Sequence, residues 1–136
     1  MIVSTTEFRI RYSETDQMGR VYYSNYLVFF EVARTHLIKQ YWKPYSALEL
    51  EGYYLPVLEA NCRYHHPIGY DDLIRVEARL SLARPSVLRF DYSLTCPEKS
   101  FLVAEGFTQH CFMTRDGKPR RMPPELYRMI TQGIDG

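Results

Sequence analysis

The sequence carries almost no excess charge of either sign: 17 Lys and Arg face 16 Asp and Glu, a formal charge of +1. Such a chain casts no long-range field to gather nucleic acid or an anionic membrane, so an anion has to be met by local cations. Cysteine is scarce. Cys62, Cys96 and Cys111 are odd in number, widely spaced and free of any CxxC pair, which points to reduced thiols. Gly (7) and Pro (8) are too few for collagen-like or low-complexity chain, and no Ser/Gly/Pro-rich linker or internal repeat divides the 136 residues. At roughly 100–200 residues per domain, one domain is expected. No apolar run approaches the ~20 residues of a membrane span. The start MIVSTTEFRIRY lacks a basic stretch followed by an apolar one. A cytoplasmic protein with neither nucleic acid nor membrane as partner is the expectation.

What the chain has in quantity is tyrosine, 12 against 7 Phe and 1 Trp. Rings with a polar edge suit a wet pocket or an interface. Tyr22, Tyr23, Tyr26, Tyr53, Tyr54 and Tyr64 are the pocket candidates.

Hydrophobic periodicity orders the elements. Residues 6–12 alternate, with Phe8, Ile10 and Tyr12 on one face, as a half-buried strand does. From Asn25 to Tyr41 the period becomes helical, through Tyr26, Phe30, Ala33 and Leu37. Ser24 or Asn25 is positioned to cap that helix, and Trp42-Lys43-Pro44 ends it. A polar stretch, Ser46 to Gly52, leads to a strand over 54–66 and a turn cluster over 66–72. Residues 74–82 and 88–96 alternate on either side of an Arg84-Pro85-Ser86 hairpin. Phe101 to Thr114 is apolar on both faces and reads as a central strand. After the 115–119 turn, Pro123-Pro124 opens a short helix over 125–132. The fold class is therefore α+β: about five antiparallel strands, one long helix and a helical tail. One helix cannot cover so broad a sheet, so a homodimer, with a tetramer also open, is expected.

Between the first strand and the long helix runs Tyr12-Ser13-Glu14-Thr15-Asp16-Gln17-Met18-Gly19-Arg20-Val21-Tyr22-Tyr23-Ser24-Asn25-Tyr26. This stretch closely resembles the signature of the 4-hydroxybenzoyl-CoA thioesterase family of hotdog-fold enzymes: Tyr-x-x-Thr-Asp-x-x-Gly-x-Val-Tyr, two residues, Asn-Tyr, then a helix carrying Glu-x-x-Arg. The element order, the Pro67-Ile68-Gly69-Tyr70-Asp71-Asp72 turn and the Lys118-to-Pro123 ending are similar too. The resemblance implies a sheet wrapped around one long central helix, hydrolysis of an acyl-CoA thioester, and no cofactor beyond the CoA of the substrate. It also implies Asp16 as the catalytic carboxylate, the main-chain amide of Tyr23 as oxyanion donor, and a pocket completed between subunits.

The chemistry of the residues agrees. A carboxylate one short loop before a helix N-terminus lies where free amides and the helix dipole polarise a carbonyl, while the carboxylate attacks it or activates water. Gly19 suits the backbone such a loop needs. Both roles for Asp16, nucleophile and general base, require the same ionised group. Tyr12 is placed to orient water or substrate, or merely to pack, and Tyr26 to line the pocket. One branch of the family has His at the Tyr23 position and Tyr at the Tyr12 position. Only the second is kept here, which brings the chain nearer the aromatic-acyl branch.

The phosphates of CoA call for local cations. By resemblance these are Arg84 and Ser86 in the hairpin, with Pro85 where a further basic residue stands in the aromatic branch; Lys118, Arg120 and Arg121 form a second cluster. Glu14, two residues from Asp16 in an extended loop, reads as solvated, and Glu31 with Arg34 as a structural ion pair. Cys62, His65 and His66 do not share one strand face, so no metal site is expected. Two rival functions fit the same fold. A dehydratase needs a His-acid pair, and no His lies near Asp16 in sequence. A non-catalytic acyl-thioester or aromatic-ligand binding protein would keep the pocket without the chemistry.

Overall fold

In the computed structural model, which describes residues 2–132, the alternating segments form five antiparallel strands: β1 (Ile2–Arg9), β2 (Val57–Tyr64), β3 (Leu73–Arg84), β4 (Val87–Cys96) and β5 (Phe101–Cys111). They make one sheet in the order β1-β3-β4-β5-β2. The period-two pattern is realised on the central strands. Ile74, Val76, Ala78 and Leu80 of β3 and Leu88, Phe90, Tyr92 and Leu94 of β4 are all buried. The β3–β4 hairpin closes through Pro85-Ser86, with Arg84 paired to Val87. β5 is interior, between β4 and β2, but β4 holds the middle of the sheet. β1 begins earlier than residue 6 and ends at Arg9. Tyr12 therefore does not continue its apolar face but stands exposed in a 3-10 turn, Tyr12–Glu14.

Helix α1 (Asn25–Tyr41) has the boundaries its periodicity predicts, and buries Tyr26, Phe29, Phe30, Ala33, Leu37 and Ile38 against the sheet. Its start differs from expectation. Neither Ser24 nor Asn25 caps it with a side chain; the Asn25 amide donates instead to the Glu14 carbonyl at 2.9 Å. Two short helices accompany α1. The polar stretch after Pro44 folds as α2 (Tyr45–Leu50), and the tail forms α3 (Pro124–Gln132). Leu48 of α2 and Leu126 and Met129 of α3 close an apolar crevice with Leu37, Leu80, Leu88 and Phe90. The helical layer is thus one long helix assisted by two short ones. No helix among the described residues is long and apolar enough to cross a membrane.

A polar chain crosses this core. Arg34 Nη1 lies 3.1 Å from the Tyr92 hydroxyl, which lies 2.6 Å from Thr108 Oγ1; Thr108 Oγ1 is 2.9 Å from His110 Nε2, and His110 Nδ1 is 3.3 Å from the Leu55 carbonyl. One assignment satisfies every member: Arg34 donates to Tyr92, Tyr92 to Thr108, Thr108 to Nε2, and Nδ1–H to Leu55. That assignment needs a neutral imidazole. It also corrects the expected Glu31–Arg34 pair: among the described residues these two form no ion pair, because Arg34 turns inward to a partner 58 positions away.

His110 is fully buried, and burial, reinforced by the positive charge of Arg34, lowers its pKa to about 4. The unfolded chain takes up this proton near pH 6.5 and the folded one does not, so stability held above that value is lost as the pH falls toward 4. Denaturant titrations at pH 7 and pH 4.5 should show wild type losing about 2 kcal/mol more between the two than His110→Gln, which has no such proton to gain. Equal losses in both proteins would remove His110 as the cause.

Candidate active site

The loop from Thr15 to Val21 is built by its own hydrogen bonds. Thr15 bridges Val21, the Asp16 N–H donates to the Arg20 carbonyl at 2.7 Å, and the Gly19 N–H donates to the Asp16 carbonyl at 3.0 Å. Gly19 has φ of +77°, a left-handed turn that side chains resist. The Asp16 carboxylate takes part through one oxygen: Oδ1 accepts the Met18 N–H at 2.9 Å and the Arg20 N–H at 3.2 Å. Oδ2 accepts no hydrogen bond among the described residues. The carboxylate is oriented by the backbone, with one oxygen left for chemistry.

Two contacts fix the loop to the rest of the molecule. On one side the Val21 N–H donates to the Ile68 carbonyl at 2.9 Å, and Arg20 bridges Gly69. The fit is close enough that a Cβ on Gly69 would lie 2.7 Å from the Gly19 carbonyl oxygen. On the other side stands Glu14, which is buried rather than solvated. The 3-10 turn folds its carboxylate back, so that Oε1 accepts the Arg11 N–H at 2.7 Å and Oε2 faces the Arg11 guanidinium at 3.3 Å. The Glu14 carbonyl receives both the Tyr22 N–H and the Asn25 side chain at 2.9 Å. Glu14 is thus the joint between the Asp16 loop and α1.

The first turn of α1 opens toward the same place. The Tyr22 carbonyl accepts the Asn25 N–H at 3.0 Å and the Tyr23 carbonyl the Tyr26 N–H at 3.3 Å, while the N–H groups of Tyr23 and Ser24 donate to nothing among the described residues. Free amides at the positive end of a 17-residue helix are donors for a developing negative charge. Asp16, Met18, Arg20, Tyr22, Tyr23, Tyr26, Tyr64, His65 and His66 line one open cleft of about 450 Å³. Tyr26 is buried there, its ring 5.0 Å edge-on from Tyr64, and burial pushes its pKa up to about 12.

The structure brings Asp16, Tyr23 and Tyr26 together and shapes their loop at Gly19. Tyr12 stands outside the cleft with its ring 5.8 Å from Tyr70. Tyr53 and Tyr54 belong to the opposite end of the sheet, Tyr53 against Phe112 and Tyr54 bridged to Met113. Arg84 and Ser86 are exposed at the β3–β4 hairpin, and Lys118, Arg120 and Arg121 are exposed beyond β5. Arg120 is already engaged: it donates to the carbonyls of Glu51 and Gly52 at 3.1 and 2.8 Å and stacks on the Tyr53 ring at 3.7 Å. Arg20, a neighbour of Asp16 in the signature, is the cation of the cleft that sequence reasoning passed over. His65 and His66 also reach it, although no histidine adjoins Asp16 in sequence. His65 Nε2 faces Glu105 at 3.4 Å and His66 stacks on Phe101 at 4.4 Å, so both rings are held by β5.

Residues 10–130 match the thioesterase-like superfamily. The chain belongs to that family. Among solved structures it is similar to the DHNA-CoA thioesterase of Staphylococcus aureus, with 31% identity and a TM-score of 0.90 over 97% of this chain and 91% of that one. A protein of Thermus thermophilus shares 32% identity at a TM-score of 0.86, with 96% of each chain covered. The acyl-CoA thioester hydrolase YbgC of Escherichia coli is 27% identical over 134 residues, 96% of this chain and all of the relative. The protein is a thioesterase of the hotdog fold.

The Gly19–Gly69 contact gives the thioesterase a point of sensitivity away from any side chain of the cleft. Gly69→Ala should destabilise it by about 1–3 kcal/mol, because backbone rather than a movable side chain receives the new methyl. The amides of Arg20 and Val21 should then exchange with solvent faster than in wild type. Unchanged exchange at both would mean the loop is held by something other than the Gly69 turn.

Proposed function

We propose that this thioesterase hydrolyses a small aromatic or short- to medium-chain acyl-CoA to the free acid and CoA, with Asp16 as its catalytic carboxylate. The observation that carries the reading is the shared cleft: an oriented carboxylate with one unengaged oxygen, beside helix-terminal amides with no acceptor. The thioester carbonyl oxygen sits on the amides of Tyr23 and Ser24, which stabilise the charge that builds there. With Asp16 as base, it takes a proton from water, the hydroxide adds to the carbonyl carbon, and the tetrahedral intermediate expels the thiolate, which is then protonated. With Asp16 as nucleophile, a carboxylate oxygen adds instead, the thiolate leaves, and water cleaves the resulting anhydride. The products are the same. No cofactor besides the CoA of the substrate enters either route.

Tyr22, Tyr23, Tyr26 and Tyr64 offer ring faces and edges to the acyl group, which favours the aromatic branch that the signature resembles. Three free cysteines suit a reducing, cytoplasmic setting.

The reading includes a second copy. Tyr64 pairs with Ala104, whereas Val87 of the hairpin pairs with Cys111, seven residues further along β5. At ~3.3 Å per residue the hairpin is about 23 Å down the sheet from the cleft, so one protomer's Arg84, Ser86 and Lys118 end is remote from its own Asp16. β2 is an edge strand, exposed along nearly its whole length, and α1 leaves Leu27, Val28 and Val32 partly uncovered beside it. Antiparallel pairing of β2 with β2 of a second copy across a two-fold reverses the ends, bringing the hairpin of one protomer toward the cleft of the other. It also covers a carboxylate that is exposed in the single chain.

Thiol release from a panel of aromatic and straight-chain acyl-CoAs tests the chemistry. Asp16→Asn should lower kcat by at least about 100-fold while a non-hydrolysable thioether of CoA still binds. Undiminished turnover in that variant would remove Asp16 from the reaction. Mixing Asp16→Asn with Arg84→Ala should restore part of the activity neither has at limiting substrate, since one site of each mixed dimer is then intact; no restoration would place the phosphate contacts elsewhere.

A further inference from the structure

Tyr64 lies on β2, far in sequence from the loop that carries the chemistry, yet its hydroxyl donates to the Tyr23 carbonyl at 3.1 Å. That carbonyl belongs to the same peptide as the Ser24 N–H, one of the two amides without an acceptor. It already receives the Tyr26 N–H, but at a long 3.3 Å. The phenol is therefore the shorter of two donors on the carbonyl, and it comes from a different element. Its ring is steadied edge-on by Tyr26, 5.0 Å away, and Tyr26 is buried in the core beside Phe29.

We propose that Tyr64 is a positioning residue for thioester hydrolysis: by donating to the Tyr23 carbonyl it fixes the plane of the Tyr23–Ser24 peptide and aims the Ser24 N–H at the oxyanion site. This rests on the oxyanion reading given above. Two physical effects combine. A peptide plane held from the carbonyl side cannot rotate its N–H away from the cleft, and a carbonyl that accepts a hydrogen bond polarises its peptide, making the N–H a stronger donor. Neither effect needs Tyr64 to touch the substrate. Both need the hydroxyl and not the ring, because Phe would preserve the contact with Tyr26. The phenol keeps its proton throughout the neutral range: partial burial, with Cys62 alongside, pushes its pKa up to about 12. The donor is thus constant across that range.

The experiment compares wild type, Tyr64→Phe, Tyr64→Leu and Asp16→Asn for kcat and KM on the best acyl-CoA of the panel, with thermal midpoints alongside. The expected result is a kcat for Tyr64→Phe about 5- to 10-fold below wild type, with KM and thermal midpoint little changed. Tyr64→Leu should fall at least as far in kcat and also lose stability. If Tyr64→Phe turns over like wild type while Asp16→Asn is inactive, the hydroxyl does no positioning; the function stands and this inference fails. A rise in KM with kcat preserved would make the Tyr64 hydroxyl a substrate contact rather than a positioning group and would also overturn it. If wild type releases no thiol from any acyl-CoA, the underlying reading fails and this one with it.

Discussion

The backbone of Gly69 pressed against that of Gly19 is the constraint on which the site depends. With no side chain on Gly69, the turn after β2 comes close enough for the Ile68 carbonyl to take the Val21 N–H and for Arg20 to bridge Gly69. The loop can then close on itself and its main chain can hold one oxygen of Asp16. Glu14 completes the arrangement from the opposite side, because its carbonyl gathers Tyr22 and Asn25 and so sets where α1 begins relative to the loop. Carboxylate and helix terminus are located by main-chain hydrogen bonds rather than by packing of exposed side chains. This explains how the Asp16 carboxylate lies in an open cleft and yet has a defined direction.

The reading from sequence succeeded where neighbours in the chain are neighbours in space. β3 and β4 form a hairpin, so alternation along each strand reports directly on the buried face, and α1 carries its own period from Asn25 to Tyr41. The loop joining Asp16 and Gly19, with its left-handed turn at Gly19, was legible because its residues are continuous in the chain. Glu14 differs from its sequence expectation because a 3-10 turn, not an extended loop, folds the side chain back onto Arg11. α2 does not show in the pattern because Tyr45–Leu50 is only six residues, less than two turns, too short to display a helical period.

The remaining differences have one origin, which is partnership at long range. Arg34 looked like the mate of Glu31 at three residues' spacing, but a buried chain of Tyr92, Thr108 and His110 requires a donor at its end and takes it. His65 and His66 reach the Asp16 cleft because the turn after β2, an edge strand, comes back to the Asp16 loop at Ile68 and Gly69. Tyr53 and Tyr54, adjacent to β2 in sequence, finish at its other end. A strand eight residues long thus separates the tyrosines into those that face the cleft and those that support the Arg120 loop.

The position of β2 also bears on how the chain reaches its fold. On a ribosome, Val57–Tyr64 is made well before Phe101–Cys111, its hydrogen-bonding partner in the sheet, while β3 and β4 can pair with one another as soon as they emerge. Until β5 arrives, β2 has both edges open, and its Val57, Leu58 and Tyr64 are exposed even in the finished fold. The order of synthesis therefore leaves for last the strand that supports the cleft, so that the nascent chain completes its centre first and its chemistry afterwards.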